Sequence, residues 1–228
     1  MSFTKRQITF RFLTAGLFFL LFALLTLEVK LFDLAPIGPQ GSTVGFSSLN
    51  GAFRDLIGTN DVCYLISTLC GGVALLSVPL FGILGLVQWI KRKKLLCVDP
   101  DLFVLVAIYA LTIVFYLLFE IVVVNYRPVL EDGVLAASYP SSHTLLSIVL
   151  FGTAFLQCRG RVRKPALRVI LQAGIMVLLV STVICRLLSG VHWFTDILGG
   201  ILLGAAILAL YHALMSIVPF LFQKKASE

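Results

Sequence analysis

The chain of 228 residues is 59% apolar and 13% charged, with 18 Phe and a mean hydropathy of +1.03. Soluble domains average about 45–50% apolar and about 25% charged, so this composition excludes an ordinary soluble enzyme, a disordered chain and a disulfide scaffold. It points to a polytopic membrane protein whose solvent is the bilayer. In a soluble chain the net charge of +7 would suggest nucleic acid; here the basic residues set topology, and no nucleic-acid partner is expected. Cys63, Cys70, Cys97, Cys158 and Cys185 form no CxxC or regular framework and read as free thiols buried like small apolar residues.

A helix needs about 20 largely apolar residues to cross the hydrocarbon, and six charge-poor runs answer to that test. The basic stretch Met1 to Arg11 is followed by no small-x-small cleavage site and reads as the start of a retained first helix. The first run covers 12–32, with Glu28 and Lys30 near its end. The connection 33–61 begins with turn residues Pro36, Pro39 and Gly41. It continues through Val44, Phe46, Leu49, Phe53 and Ile57 as a weakly amphipathic segment suited either to the lipid interface or to packing on helix ends. The second run, 62–90, is uncharged, holds Gly71, Gly72 and Pro79, and is long enough to tilt or kink. The third, 102–126, carries one charge, Glu120; the fourth, 143–158, is short by the length test. The fifth covers 169–188, and the sixth 194–222, with Asp196 in its first turn and His212 read as a packed residue inside it. The expected fold is all-α, a bundle of six transmembrane helices forming a single domain over 1–228.

Cations favour cytoplasmic loops. Lys5, Arg6 and Arg11 precede the first run, Lys91 to Lys94 separate the second and third, Arg159, Arg161, Arg163, Lys164 and Arg168 separate the fourth and fifth, and Lys224 and Lys225 end the chain. The remaining basic residues, Lys30, Arg54, Arg127 and Arg186, fall on the opposite side among most of the acidic ones. Both termini are therefore expected to be cytoplasmic.

Ionisable groups at membrane depth are expensive and mark function by default. Glu120, Arg127, His143, Arg186, His192 and Asp196, together with Ser141 and Ser142, gather at the non-cytoplasmic ends of the third to sixth runs, which predicts a polar site there. In GVHWFTDILGG the spacing of His192 and Asp196 puts both on one helical face if the last helix has begun by then. A carboxylate holding one ring proton leaves the other nitrogen's lone pair free as nucleophile or base. The same spacing also suits an interfacial histidine followed by an aspartate favoured by the helix macrodipole. Arg127 and Arg186 offer planar, permanently charged donors for an oxyanion. In YPSSHT, Pro140 ends a loop, Ser141 and Ser142 supply hydroxyls and helix-start N–H groups, and His143 can protonate a leaving group.

Taken in order, Arg127-Pro128, Pro140-Ser141-Ser142-His143 and Arg186-x5-His192-x3-Asp196 resemble the three-part signature of the type 2 phosphatidic acid phosphatase (PAP2) superfamily, Lys-x6-Arg-Pro, Pro-Ser-Gly-His and Ser-Arg-x5-His-x3-Asp. The resemblance covers roughly 120–196 and implies a phosphatase that needs no metal or other cofactor. By that similarity His192 attacks phosphorus to give a phosphohistidine, Asp196 orients it, and His143 protonates the leaving alcohol and then activates water. Arg127, Arg186, Ser141 and the N–H groups of Ser142 and His143 hold the phosphoryl oxygens.

This sequence departs from the pattern at three places. Glu120 stands where the family has lysine, seven residues before Arg127 and so, on a continuing helix, on the same face; it would pair with Arg127 or meet a cationic group of the substrate. Ser142 replaces a glycine and Cys185 a serine.

The partner expected is an amphiphilic lipid phosphate or diphosphate that enters sideways from membrane lipids. The compact size and short loops suit a bacterial plasma membrane, with the site on the non-cytoplasmic side. A phosphotransferase using the same intermediate, or a silent lipid-binding or transport protein, remains as an alternative. A serine hydrolase lacks a GxSxG elbow, and three histidines without HExxH make no metal-ligand set.

Overall fold

A computed structural model describes residues 3–223, so the expected cytoplasmic pair Lys224 and Lys225 lies outside the described residues. Helices follow in the order α1 (Lys5–Leu31), α2 (Ser47–Ile57), α3 (Asp61–Leu75), α4 (Ser77–Arg92), α5 (Pro100–Ile121), α6 (Ser142–Arg161), α7 (Pro165–Leu188) and α8 (Phe194–Gln223). Among the described residues there is no strand, only three isolated bridges in the loops. Five segments are long and apolar enough to cross a membrane: α1, α3 with α4, α5, α7 and the Phe194–Val218 part of α8.

Local sequence sets the helix ends. Thr4 and Gln7 form a reciprocal capping box, so α1 begins ahead of the apolar run and takes in Lys5, Arg6 and Arg11. The uncharged second run is two helices that meet at Leu76. Pro79 has no N–H to offer the Leu75 carbonyl, and the ladder breaks one turn before it. The third run ends as a helix at Ile121, not at residue 126. A β-branched stretch, Val122 to Val124, disfavours helix, and Pro128 biases Arg127 to extended backbone. The chain from Asn125 to Ser138 then folds back on itself, with Arg127 N–H bonded to the Ala136 carbonyl at 3.0 Å and Ser138 N–H to the Asn125 carbonyl at 2.9 Å.

Polarity is arranged inside out. Leu13, Leu17, Leu20 and Leu24 of α1 and Val169, Ile170 and Val177 of α7 are exposed, as lipid-facing positions should be. α6 packs against α3, α5, α7 and α8 and buries Thr144, Ser147, Thr153 and Gln157. That central, polar lining explains why α6, though 20 residues long, fails a hydropathy test. α8 comes close to it through glycines: a Cβ on Gly200 would lie 2.8 Å from the Ser141 carbonyl oxygen, and one on Gly204 2.9 Å from Ile148 Cβ.

The connection after α1 packs on the helix ends. Asp33 caps α2 through the Ser48 N–H at 2.8 Å and the Ser47 hydroxyl at 3.0 Å, and these bonds hold its carboxyl below the usual carboxylate range. From α2, Phe53 stacks on Phe194 with ring centroids 4.3 Å apart, and Asn50 exchanges hydrogen bonds with Thr195. At the opposite end of the bundle Arg161 bridges Asp99 at 3.2 Å and Asp101 at 2.6 Å.

Two expectations about single residues need correction. His212 is exposed on α8 instead of packed inside it, because it borders an open cleft between the start of α1, at Arg11, and the end of α6, at Arg159. The five cysteines are free, but Cys97 is exposed and the other four are half-buried, since they sit on outer helix faces and in a connection.

Candidate active site

Three chain segments converge at the α6 and α8 N-terminal end of the bundle: the loop 122–141, the start of α6, and the turn 189–193. The turn is clamped from outside. The Arg54 guanidinium donates to the Gly190 carbonyl and the Asn60 N–H to the Ser189 carbonyl at 3.3 Å. Gly190 has φ +70°, and a Cβ there would run into the Gly58 carbonyl, so the chain needs glycine at that position.

His192 lies in this turn, ahead of α8, so it and Asp196 do not share a helical face as their spacing suggested. Its Nδ1 is 3.7 Å from Asp196 Oδ2, too far for a hydrogen bond. The Ser138 hydroxyl fills the gap, 3.0 Å from Nδ1 and donating to Asp196 Oδ2. A hydroxyl that donates to the carboxylate accepts from the ring, so the imidazole proton belongs on Nδ1 and Nε2 carries the lone pair. Asp196 Oδ2 also accepts the Trp193 N–H at 2.9 Å, and the Asp196 carbonyl accepts the Ser141 N–H at 2.9 Å. Burial, aided by the positive charges of Arg186 and Arg127, holds His192 well below the ordinary histidine range and therefore neutral.

The lone pair of Nε2 faces Arg186, whose Nη2 is 3.4 Å away. Arg186 is 1% exposed, yet its Nε and Nη1 have no hydrogen-bond partner within the protein. A buried guanidinium with idle donors is unfavourable unless an anion completes it. Arg127 comes from the loop, donating from Nε to the Ala137 carbonyl at 3.3 Å and pairing with Glu131 at 3.1 Å. Ser141 is fully buried and accepts from the Thr144 hydroxyl at 3.1 Å. Ser142 and His143 open α6, so their N–H groups have no carbonyl a turn earlier to bond. The His143 ring lies against α3, where a Cβ on Gly71 would come within 3.1 Å of Cδ2, and its Nδ1 is buried without a partner.

Glu120 is in the last turn of α5 and lines one narrow cleft with Tyr116, Phe119, Ser138, Ser142 and His192. It does not share a helix face with Arg127, because the helix ends between them, and Arg127 takes Glu131 as its carboxylate instead. Ser138, Asn125 and Asn50 escaped the sequence: a hydroxyl between a histidine and an aspartate 54 and 58 positions away leaves no local pattern. Glu131 did leave one, its i, i+4 spacing from Arg127. Among the described residues no three or more His, Cys, Asp or Glu side chains gather as a set that could hold a metal ion.

No curated protein matches the chain significantly. The fold is similar to the crystal structure of the first transmembrane PAP2-type phosphatidylglycerolphosphate phosphatase from Bacillus subtilis, with TM-score 0.64 and 19% identity over 90% of this chain and 97% of that one. The family description for the PAP2 superfamily matches residues 73–218, a stretch that contains His143, Arg186, His192 and Asp196 and makes up more than half of the chain. This integral membrane protein belongs to the PAP2 superfamily.

Proposed function

We propose that the chain is a lipid phosphatase that hydrolyses a lipid phosphate monoester or diphosphate through a phosphohistidine on His192. The observation that carries this reading is the buried Arg186, with Nε and Nη1 idle, beside the free Nε2 of a neutral histidine. Nε2 attacks phosphorus; the P–N bond forms as the bond to the lipid oxygen breaks, and His143 gives that oxygen a proton. His143 then takes a proton from water, whose oxygen attacks phosphorus and frees inorganic phosphate and His192. Arg127, Arg186, Ser141 and the N–H groups of Ser142 and His143 hold the phosphoryl oxygens, which is the positioning and charge stabilisation that phosphoryl transfer requires. Asp196 orients His192 through Ser138.

The wider reading follows from the same frame. The whole chain works as one unit of six spans, α6 being the sixth by its length and central packing. The basic end, with Lys5, Arg92 and Arg161, is cytoplasmic along with both termini, and the site faces the opposite side of a bacterial plasma membrane. The Bacillus subtilis neighbour is named for a phospholipid phosphomonoester, which supports an amphiphilic substrate that reaches the site from the bilayer.

The test is phosphate release from lipid phosphates by purified protein with EDTA present, alongside His192→Ala. Release that survives EDTA and disappears in the variant supports a metal-independent phosphohistidine enzyme. Release that EDTA abolishes, or that His192→Ala retains, overturns it.

A further inference from the structure

We infer that Asn125 is a positioning residue for phosphoryl transfer on His192: its carboxamide supplies the donor for Asp196 Oδ1, and it acts on the histidine through Asp196 and Ser138. This role rests on the phosphatase reading of His192 and deepens it.

Two bare polar atoms meet here. Asp196 is fully buried, and its Oδ2 accepts from the Ser138 hydroxyl and the Trp193 N–H, whereas its Oδ1 has no partner. Asn125, in the loop between α5 and α6, is 2% exposed, and its Nδ2 has no partner either. The carboxamide stands towards the carboxylate as a donor without closing the bond. A donor and an acceptor left idle in a buried place are costly, and a bond between them satisfies both.

Asn125 is held in the orientation this needs. Its Oδ1 accepts the Gly45 N–H at 3.3 Å, which sets the carboxamide so that Nδ2, not the oxygen, faces the carboxylate. Gly45 is itself fixed, because its carbonyl accepts from Asn50 Nδ2 at 2.7 Å and a Cβ there would run into the Val29 carbonyl of α1. The Ser138 N–H donates to the Asn125 backbone carbonyl at 2.9 Å. One residue therefore holds the bridging serine by its main chain and faces the aspartate by its side chain.

The need for that donor arises during the reaction. His192 is neutral at rest, but once Nε2 bonds to phosphorus its ring carries a positive charge, which the Asp196 carboxylate balances through Ser138. A donor on Oδ1 stabilises the anion in a buried site, where each hydrogen bond counts for more than in water. The other charged and titratable groups facing Asp196 are Arg127 and Tyr139, with Arg186 beyond His192, and none of them donates to Oδ1.

The experiment compares kcat and KM of native protein, Asn125→Asp and Asn125→Ala for phosphate release from a phosphatidate and a polyprenyl diphosphate, with each variant checked for folding by its elution from a sizing column. Asn125→Asp keeps an oxygen for the Gly45 N–H and turns the donor into an acceptor, so it separates the contact with Asp196 from the tether to Gly45. It is expected to lower kcat at neutral pH at least about tenfold with KM little changed, as Asn125→Ala does. In Asn125→Ala the acid limb of kcat should also move up by about one pH unit, since a carboxylate that loses a donor is protonated more readily as pH falls. That second reading decides the matter if Asn125→Asp does not fold. Native kcat in Asn125→Asp, a change in KM alone, or a uniform fall of kcat at every pH in Asn125→Ala refutes the role of Asn125 and leaves the phosphatase reading intact. Release of phosphate by native protein from neither these nor any other lipid phosphate removes the phosphatase reading and the role with it.

Discussion

Ser138 is the residue whose role depends most on geometry. Its hydroxyl is the contact through which Asp196 reaches His192, and the three side chains are almost completely buried. Ser138→Ala removes one hydrogen bond to a charged group, worth about 1.5–3 kcal/mol. It should lower kcat on the order of tenfold to a hundredfold with KM little changed, since the bond steadies the imidazolium-like state and does not touch the lipid. Ser138→Thr keeps the hydroxyl and should restore most of the rate. Loss of KM instead of kcat would mean that the loop 122–141, not the hydrogen bond, is what the hydroxyl maintains. Arg186→Lys tests the anion clamp in the same way: an ammonium keeps the charge and loses the fork, and phosphate release should fall at least about tenfold because no planar donor pair replaces the idle Nε and Nη1.

At the scale of elements, the contact between α6 and α8 decides whether the site keeps its shape. Gly200 packs against the Ser141 carbonyl and Thr144, both at the start of α6. Gly200→Ala forces the two helices apart and is expected to destabilise the protein by about 1–3 kcal/mol, read as a lower unfolding midpoint in detergent. Gly174 of α7 has nothing within 4 Å of where a Cβ would go, so Gly174→Ala should leave that midpoint unchanged or raise it slightly. If both substitutions behave alike, the close approach of α8 to α6 does not hold the site.

For the whole molecule the prediction concerns sidedness. Cys97 is exposed in the connection between α4 and α5, at the end of the bundle that carries Lys91 to Lys94. A membrane-impermeant thiol reagent should fail to modify Cys97 in intact cells and modify it in inverted vesicles. The opposite pattern would place the site and the basic loops on the sides reversed from the proposal. The result also bears on substrate supply, because it fixes the leaflet from which a lipid phosphate enters.

The sequence by itself determined what depends on composition and on short spacing. Apolar runs longer than a bilayer is thick must be helices, because no water is present there to satisfy a free backbone, and the one-sided distribution of lysine and arginine predicts an orientation. It also located His143, Arg186, His192 and Asp196 near one end, since charged groups at that depth are rare enough to stand out. What it could not supply were relations between distant segments. Ser138 lies between His192 and Asp196, Arg54 clamps Gly190, and Asn50 ties α2 to Thr195, each joining segments dozens of positions apart through one or two hydrogen bonds. Nor could periodicity find the early end of α5, where loop hydrogen bonds to Asn125 and Tyr126 outcompete a helix that hydrophobicity alone would extend. Local chemistry chose the helices; only tertiary packing decided which side chains stand within hydrogen-bond distance of His192.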